Sequence, residues 1–254
     1  EAKGRKSYPS DLTDKQWEEI APLYEGMRNC TWSKRELTDA VLYLVDSGCK
    51  WRQLPHDFPP YSTVHSFYRR ARISGLWDKI LEHLVKKTRT NAGRKESPSY
   101  AIIDSQSVKT VAASEERGID GGKNERQEAA IVVDVLGCLL SVVVHAANIH
   151  DTKGGIFAAK RGYGRYPSIQ KFCADAGYRG TFVADAKGQL GLDVDISEKI
   201  KPHQWEKLPW RWVVERTLSW LNHSRRLSKD YEISLSSAEA MVKISHFHTL
   251  LKRL

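Results

Sequence analysis

The alternation of apolar and polar positions changes character part-way along the chain. Residues 1–92 read as helical. Leu12-Thr13-Asp14 ahead of Lys15-Gln16-Trp17 has the form of an N-cap and first turn, with Trp17, Ile20 and Leu23 on one face. Ser33 followed by Glu36 predicts a capping box, and Leu37, Val41, Leu44 and Val45 give residues 33–46 an apolar stripe. Beyond a Pro-containing turn at 54–60, Ser62 or Thr63 is the expected cap of a helix carrying Val64, Phe67, Tyr68 and Ala71. A fourth helix is expected from Leu76 to near Thr88.

A polar stretch, NAGRKESPS at 91–99, separates this region from a second one at 99–254, where short β-branched runs replace the helical period. Residues 99–104 read as a strand ending in Asp104, and 171–175 as another ending in Asp175. The runs 129–134 and 139–147 flank Val135-Leu136-Gly137 as a hairpin. Helical spacing returns over 210–226, through Val213, Val214, Leu218 and Leu221, and again over 237–251. This order predicts an α/β fold, a mixed sheet with helices on its faces.

Charge narrows the set of partners. Against 31 Asp and Glu stand 40 Lys and Arg, a net +9, with a pI near 9.3. That balance points to a polyanion, nucleic acid before a membrane surface. An apolar content of 41% supports a real core, and 28% charged residues argue against wholesale disorder. No apolar run reaches the length of a membrane span, and no apolar leader opens the chain. The cysteines (Cys30, Cys49, Cys138, Cys173) form no CxxC pair and read as reduced thiols of a cytoplasmic protein.

Carboxylates at the ends of sheet strands line the crevice where ligands bind. Phosphodiester chemistry uses such groups to hold two divalent ions roughly 3.5–4 Å apart, and hard oxygen donors suit Mg²⁺. Asp104, Asp134, Asp151 and Asp175 all follow strand-like runs, and each fits a turn or cap equally well, so geometry does not choose among them. Glu215 lies four residues after Arg211 on one helix face, as a third ligand or as a solvated ion pair. His145, His150, His246 and His248 read as structural or surface groups; His246 and His248, two apart, leave a helix on different sides.

Three long segments are more specific. Ile102-Ile103-Asp104-Ser105-Gln106-Ser107-Val108-Lys109, Ala174-Asp175-Ala176-Gly177-Tyr178-Arg179-Gly180 and Arg211-Trp212-Val213-Val214-Glu215-Arg216-Thr217-Leu218 occur in that order, the last followed by residues 225–232. Together they resemble the catalytic segments of DDE transposases of the insertion-sequence-five group. Segments at 117–120 and 146–151 resemble further parts of that family. Leu12-Thr13-Asp14, Trp51-Arg52-Gln53-Leu54-Pro55 and Ser74-Gly75-Leu76-Trp77 resemble its helical N-terminal domain.

The resemblance implies a ribonuclease-H-like mixed sheet flanked by helices, preceded by an all-α, helix-turn-helix-like domain. It maps a catalytic and metal-binding triad onto Asp104, Asp175 and Glu215, with Arg211 in support. It implies two Mg²⁺ ions, for which Mn²⁺ can substitute, cleavage at transposon ends, and transfer of a 3′-hydroxyl into target DNA. The implied partners are double-stranded DNA, as terminal inverted repeats and as target, and a homodimer or larger synaptic assembly. No membrane is involved, and the setting is the cytoplasm of a bacterium, at the nucleoid. Residues 1–92 become the DNA-binding domain, with Ser62, His65, Ser66, Arg69 and Arg72 on the helix offered to the major groove. Within 99–254, Lys109, Arg179, Arg216, Arg225, Arg226 and Lys229 would line the DNA path. Two departures stand out. Asn222 occupies the place of a family lysine seven residues after the Glu, and residues 123–131 lack the family's Lys/Arg-rich run, which weakens phosphate contacts. The alternatives are a catalytically impaired or domesticated DNA-binding protein, or a structure-specific nuclease without strand transfer.

Overall fold

The computed structural model describes residues 5–28, 30–109, 118–119, 125–146, 151–197 and 210–254. Helix α1 (Asp14–Ile20) opens with a capping box between Thr13 and Gln16, and α2 (Lys34–Ser47) with the expected box between Ser33 and Glu36. Helix α3 (Tyr61–Ile73) starts ahead of both expected caps. Pro60 takes the cap position without a side-chain bond, and its carbonyl accepts the N–H groups of Thr63 and Val64. The pyrrolidine ring presets φ and starts the helix there. Helix α4 (Leu76–Asn91) closes at Gly93, whose φ of 68° turns the chain into the linker.

Six strands form one sheet: β1 (Tyr100–Lys109), β2 (Gly118–Ile119), β3 (Glu125–Asp134), β4 (Leu139–Ala146), β5 (Lys171–Asp175) and β6 (Asp193–Ser197). The main order is β4-β3-β1-β5-β6, with the short β2 beside the start of β3. The pairs β4–β3 and β3–β1 are antiparallel, while β1–β5 and β5–β6 are parallel. Helix α5 (Asp151–Arg165) connects β4 to β5, and α6 (Thr181–Leu190) connects β5 to β6. This is the ribonuclease-H-like mixed sheet that the resemblance implies.

Three elements differ from the sequence pattern. Strand β1 continues to Lys109 because β3 pairs with it as far as Arg126, so Asp104 lies inside the strand and does not end it. Strand β6, DVDIS, alternates polar and apolar residues but carries only two apolar ones, Val194 and Ile196, and was not expected from the sequence; β5 offers it a parallel edge from Lys171 to Asp175. Helix α7 (Arg211–Asn222) stops short of residue 226. Tighter bonds from His223 to Trp220 and from Ser224 to Leu221 end it, and a separate turn follows at Arg225–Leu227.

The two faces of the sheet carry different helices. A methyl group built on Gly155 of α5 would lie 3.4 Å from Ile103, and one on Gly162 would lie 3.6 Å from Val132. On the opposite face, Leu218 and Leu221 of α7 and Met241 of α8 (Leu235–Leu251) gather over Val108 and Ile131. The buried core runs on without a break into the N-terminal helices. Trp77 of α4 stacks on Phe247 of α8 at 5.9 Å, and each large side chain buried this way contributes about 1.5–3 kcal/mol. Among the described residues no helix is long and apolar enough to cross a membrane.

Candidate catalytic site and nucleic-acid interface

Strand register brings two acids together. β1 and β5 pair up to Ile102 and Cys173, so two residues further along each strand places Asp104 level with Asp175. Both then lie on one face of the sheet, two residues past the last paired positions of β1 and β5. The two carboxylates line a cavity of about 10 Å³ with Ile102, Cys173, Ser197 and Val214, room for about one water. Beyond this point β1 follows β3 alone, and the parting of β1 from β5 opens the crevice above the acids. Backbone N–H groups orient both side chains: Ser105 donates to Asp104 Oδ1 and Gly177 to Asp175 Oδ1, each at 2.9 Å.

Glu215 is exposed on α7, directly after Val214, whose side chain walls the same cavity. Among the described residues no three His, Cys, Asp or Glu side chains stand close enough to hold a metal ion. Asp104 and Asp175 thus line one cavity, whereas Glu215 does not line it; only its neighbour Val214 on α7 does. The donor set is wholly carboxylate, and that chemistry fits a hard divalent cation. Arg211 begins α7, but its side chain lies outside the described residues, as does that of Asp151. So do most of the segments at 117–120 and 146–151, His150 and the first part of 123–131.

Asp134 has another role. It is fully buried, forms an ion pair with Arg89, and accepts the N–H groups of Leu136 and Cys138 at 2.9 and 2.8 Å. Its Oδ1 closes the β3–β4 turn, while its Oδ2 holds Arg89 of α4. His246 is equally structural: burial pulls its pKa down to about 3, and its Nε2 accepts the Leu139 N–H at 3.0 Å.

The residues expected to meet DNA fall into two groups, exposed and engaged with the fold. Ser62, His65, Ser66 and Arg69 are exposed along α3, while Val64, Phe67, Tyr68 and Ala71 are buried on its other side. Lys109, Arg179, Arg225 and Lys229 are exposed as well. Arg72 instead donates to Ser234 and Ser236, pinning α3 to the start of α8. Arg226 is buried against Glu232 at 2.6 Å and donates to the Cys49 carbonyl. A guanidinium committed in this way braces the fold. Arg216 is half-buried, and its Nη2 donates to the Leu136 carbonyl at 2.9 Å; burial, then the nearby Arg253 charge, pull its pKa below the usual range. At the departure point, the Asn222 amide oxygen accepts from Gln106 at 3.3 Å, so a neutral pair stands there.

Two neighbours of the acids went unforeseen. Ser197 joins the cavity wall only because β6 forms. Tyr178, three residues after Asp175, is buried where a methyl on Gly155 would come within 2.6 Å of its ring. The paired glycines Gly154-Gly155 were the legible signal for that close approach.

Residues 95–250 match the family model described as "Transposase DDE domain". The chain belongs to that family. Residues 12–81 also match a model described as "Putative transposase of IS4/5 family", so both halves of this DDE-domain protein match transposase models. A Burkholderia cepacia protein, "Insertion element IS402 uncharacterized 16.2 kDa protein", is 33% identical over 34% of the chain and 58% of its own length. From the same organism, "Putative transposase for insertion sequence element IS402" is 29% identical over 56% of the chain and 70% of its own length. The chain spans about three fifths of the first two curated relatives it matches, 58% and 64%. Among solved structures, the Mos1 mariner paired end complex with Mn covers 96% of this chain and 86% of its own, at 11% identity and a TM-score of 0.33. The Mos1 strand transfer complex covers 90% and 78%, at 12% identity and 0.34. For this DDE-domain chain the strand order, and not that likeness, carries the fold.

Proposed function

We propose that the protein is a DNA transposase: it binds the ends of its element, cleaves DNA there and transfers the 3′-hydroxyl into target DNA. The observation that carries this reading is the cavity that Asp104 and Asp175 line together inside a domain of the DDE family. Asp104, Asp175 and Glu215 are the residues that would hold two divalent cations, Mg²⁺ or Mn²⁺, with Arg211 supporting Glu215. Bound there, the cations supply Lewis-acid stabilisation of the attacking and leaving oxygens of an in-line displacement at phosphorus.

The chain's own residues do the rest. The Ser105 and Gly177 N–H groups hold the two aspartates in place, so little reorganisation accompanies binding. Residues 1–92 form the end-binding part, with Ser62, His65, Ser66 and Arg69 of α3 facing the major groove. Exposed Lys109, Arg179, Arg225 and Lys229 meet the backbone near the acids. Two ends must be held together, so the working assembly is a homodimer or larger, acting on DNA in the bacterial cytoplasm.

The test is divalent-dependent cleavage and joining of DNA carrying the element's own ends. Asp104→Asn, Asp175→Asn and Glu215→Ala are each expected to lower the rate by about a hundredfold to a thousandfold, as loss of a group acting in the transition state does. Mn²⁺ binding followed by spectroscopy should weaken in parallel. Full activity in Glu215→Ala would remove it from the triad, and cleavage without joined product would favour a nuclease.

A further inference from the structure

Away from the acids and from α3, the seam between α7 and α8 carries positive charge that meets no carboxylate. Trp212, Arg216 and Trp220 recur every fourth residue of α7 and so share one side of it. The Arg216 guanidinium lies 4.5 Å from the centre of the Trp212 ring and 4.6 Å from that of Trp220. Arg253, just past the end of α8, stacks on Trp220 at 4.0 Å. Indole and guanidinium planes therefore alternate four deep. Arg89, Arg161, Arg165 and Arg226 each meet a carboxylate; Arg216 and Arg253 meet none among the described residues.

An open cavity of about 230 Å³ adjoins the ladder, with Trp220, His223, Lys252 and Arg253 in its wall and Asp46 the one carboxylate lining it. That space admits a phosphate group together with several waters, each occupying about 30 Å³. Two neighbouring guanidinium groups repel, and stacking on indole offsets part of that cost without neutralising either charge. The uncancelled charge favours a polyanion over a neutral partner. From Trp212 to Trp220 the helix rises about 12 Å, the axial span of three or four phosphates of one DNA strand.

We infer that this seam is a second DNA site, in which the exposed Lys252 and Arg253 take consecutive phosphodiester groups of duplex DNA, while Arg216, held by the Leu136 carbonyl, positions Trp220 beneath Arg253. At 100° per residue the ladder borders the exposed strip of α7 that also presents Glu215. The inference rests on the DNA-acting function proposed above.

Affinity of the full chain for a short duplex of arbitrary sequence, followed against salt concentration, tests it. Each lost phosphate contact lowers the slope of log affinity against log salt by about 0.9, so the double variant K252Q/R253Q should lower it by about 2. An unchanged slope overturns the second site and leaves the transposase reading standing. No DNA binding by the wild type overturns both. Arg253→Lys should keep most of the slope; if it loses as much as Arg253→Gln, the role is packing and the inference fails. Lysine acylation of the wild-type protein gives a readout free of folding effects. DNA should shield Lys252 but not Lys187, which pairs with Asp193 at the β6 edge, and equal labelling of Lys252 with and without DNA overturns the site.

Discussion

Three aspartates that look alike in sequence have two opposite fates. Asp134 ends β3 and is closed off completely, by Arg89, by two turn N–H groups and by the hairpin it caps. Asp104 and Asp175 stand side by side where β1 and β5 part, each held by one local N–H and half-open to the crevice. An acid on a sheet strand braces the fold where turn amides and a buried cation hold it. It becomes chemically available where register sets a second acid beside it and the sheet opens.

The largest expected effect breaks the closed end. Arg89→Ala leaves the Asp134 carboxylate buried without its cation, and removing one partner of a buried pair costs about 3–5 kcal/mol. Denaturant unfolding should show that loss, whereas Asp104→Asn should change stability by less than about 1 kcal/mol, as polar substitutions outside a saturated site do. Comparable losses in the two variants would erase the distinction between the two ends.

The contrast was only partly legible along the chain. The helix cap at Thr13, the capping box at Ser33 and the hairpin around Gly137 are local, made by residues within a few positions of one another, and they form as their patterns predict. The β1–β5 register depends on residues about seventy apart, so spacing could not separate Asp104 from Asp134 or Asp151; motif resemblance did. Strand β6 was invisible because an edge strand of alternating Asp buries little on its own. Arg72 and Arg226 read as exposed cations because their partners at Ser234, Ser236 and Cys49 are distant in sequence or set by the turn after α7. Exposed α3 positions, by contrast, followed directly from the helical period.

A smaller effect sharpens the closed end through pH. His246 receives the Leu139 N–H on Nε2, so its proton resides on Nδ1 and the ring is neutral in the fold. Burial lowers its pKa from 6.5 to about 3, and does the same to His248. The unfolded chain takes up these protons first as pH falls, so stability is lost from about pH 6.5 downward, by a little over 1 kcal/mol per unit for each histidine. Asp39 and Asp230 act in the opposite sense. Burial raises both to about 6, so their contribution is present at low pH and lost as pH rises from about 4 through 6. The wild-type curve therefore partly cancels between pH 4 and 6. The difference between wild type and His246→Gln isolates one histidine, and should shrink steadily as pH drops from 6.5. A constant difference would mean that His246 charges freely in the fold.

The smallest effect lies in Asp175, where the two fates overlap. Its Oδ1 caps the short turn Ala176–Tyr178 through the Gly177 N–H, so the residue braces the chain locally while its carboxylate faces Asp104. Asn keeps a capping oxygen and loses the charge; Ala loses both. Replacing a cap by Ala costs about 1 kcal/mol, and Asn caps nearly as well as Asp. Asp175→Asn should therefore unfold at the wild-type denaturant midpoint, and Asp175→Ala slightly below it. Both should weaken Mn²⁺ binding to the same degree, because the charge is gone from each. Stability losses that tracked the metal losses would mean that the two roles are one. A split between them would assign the cap to the turn and the charge to the crevice, with the Gly177 amide serving both.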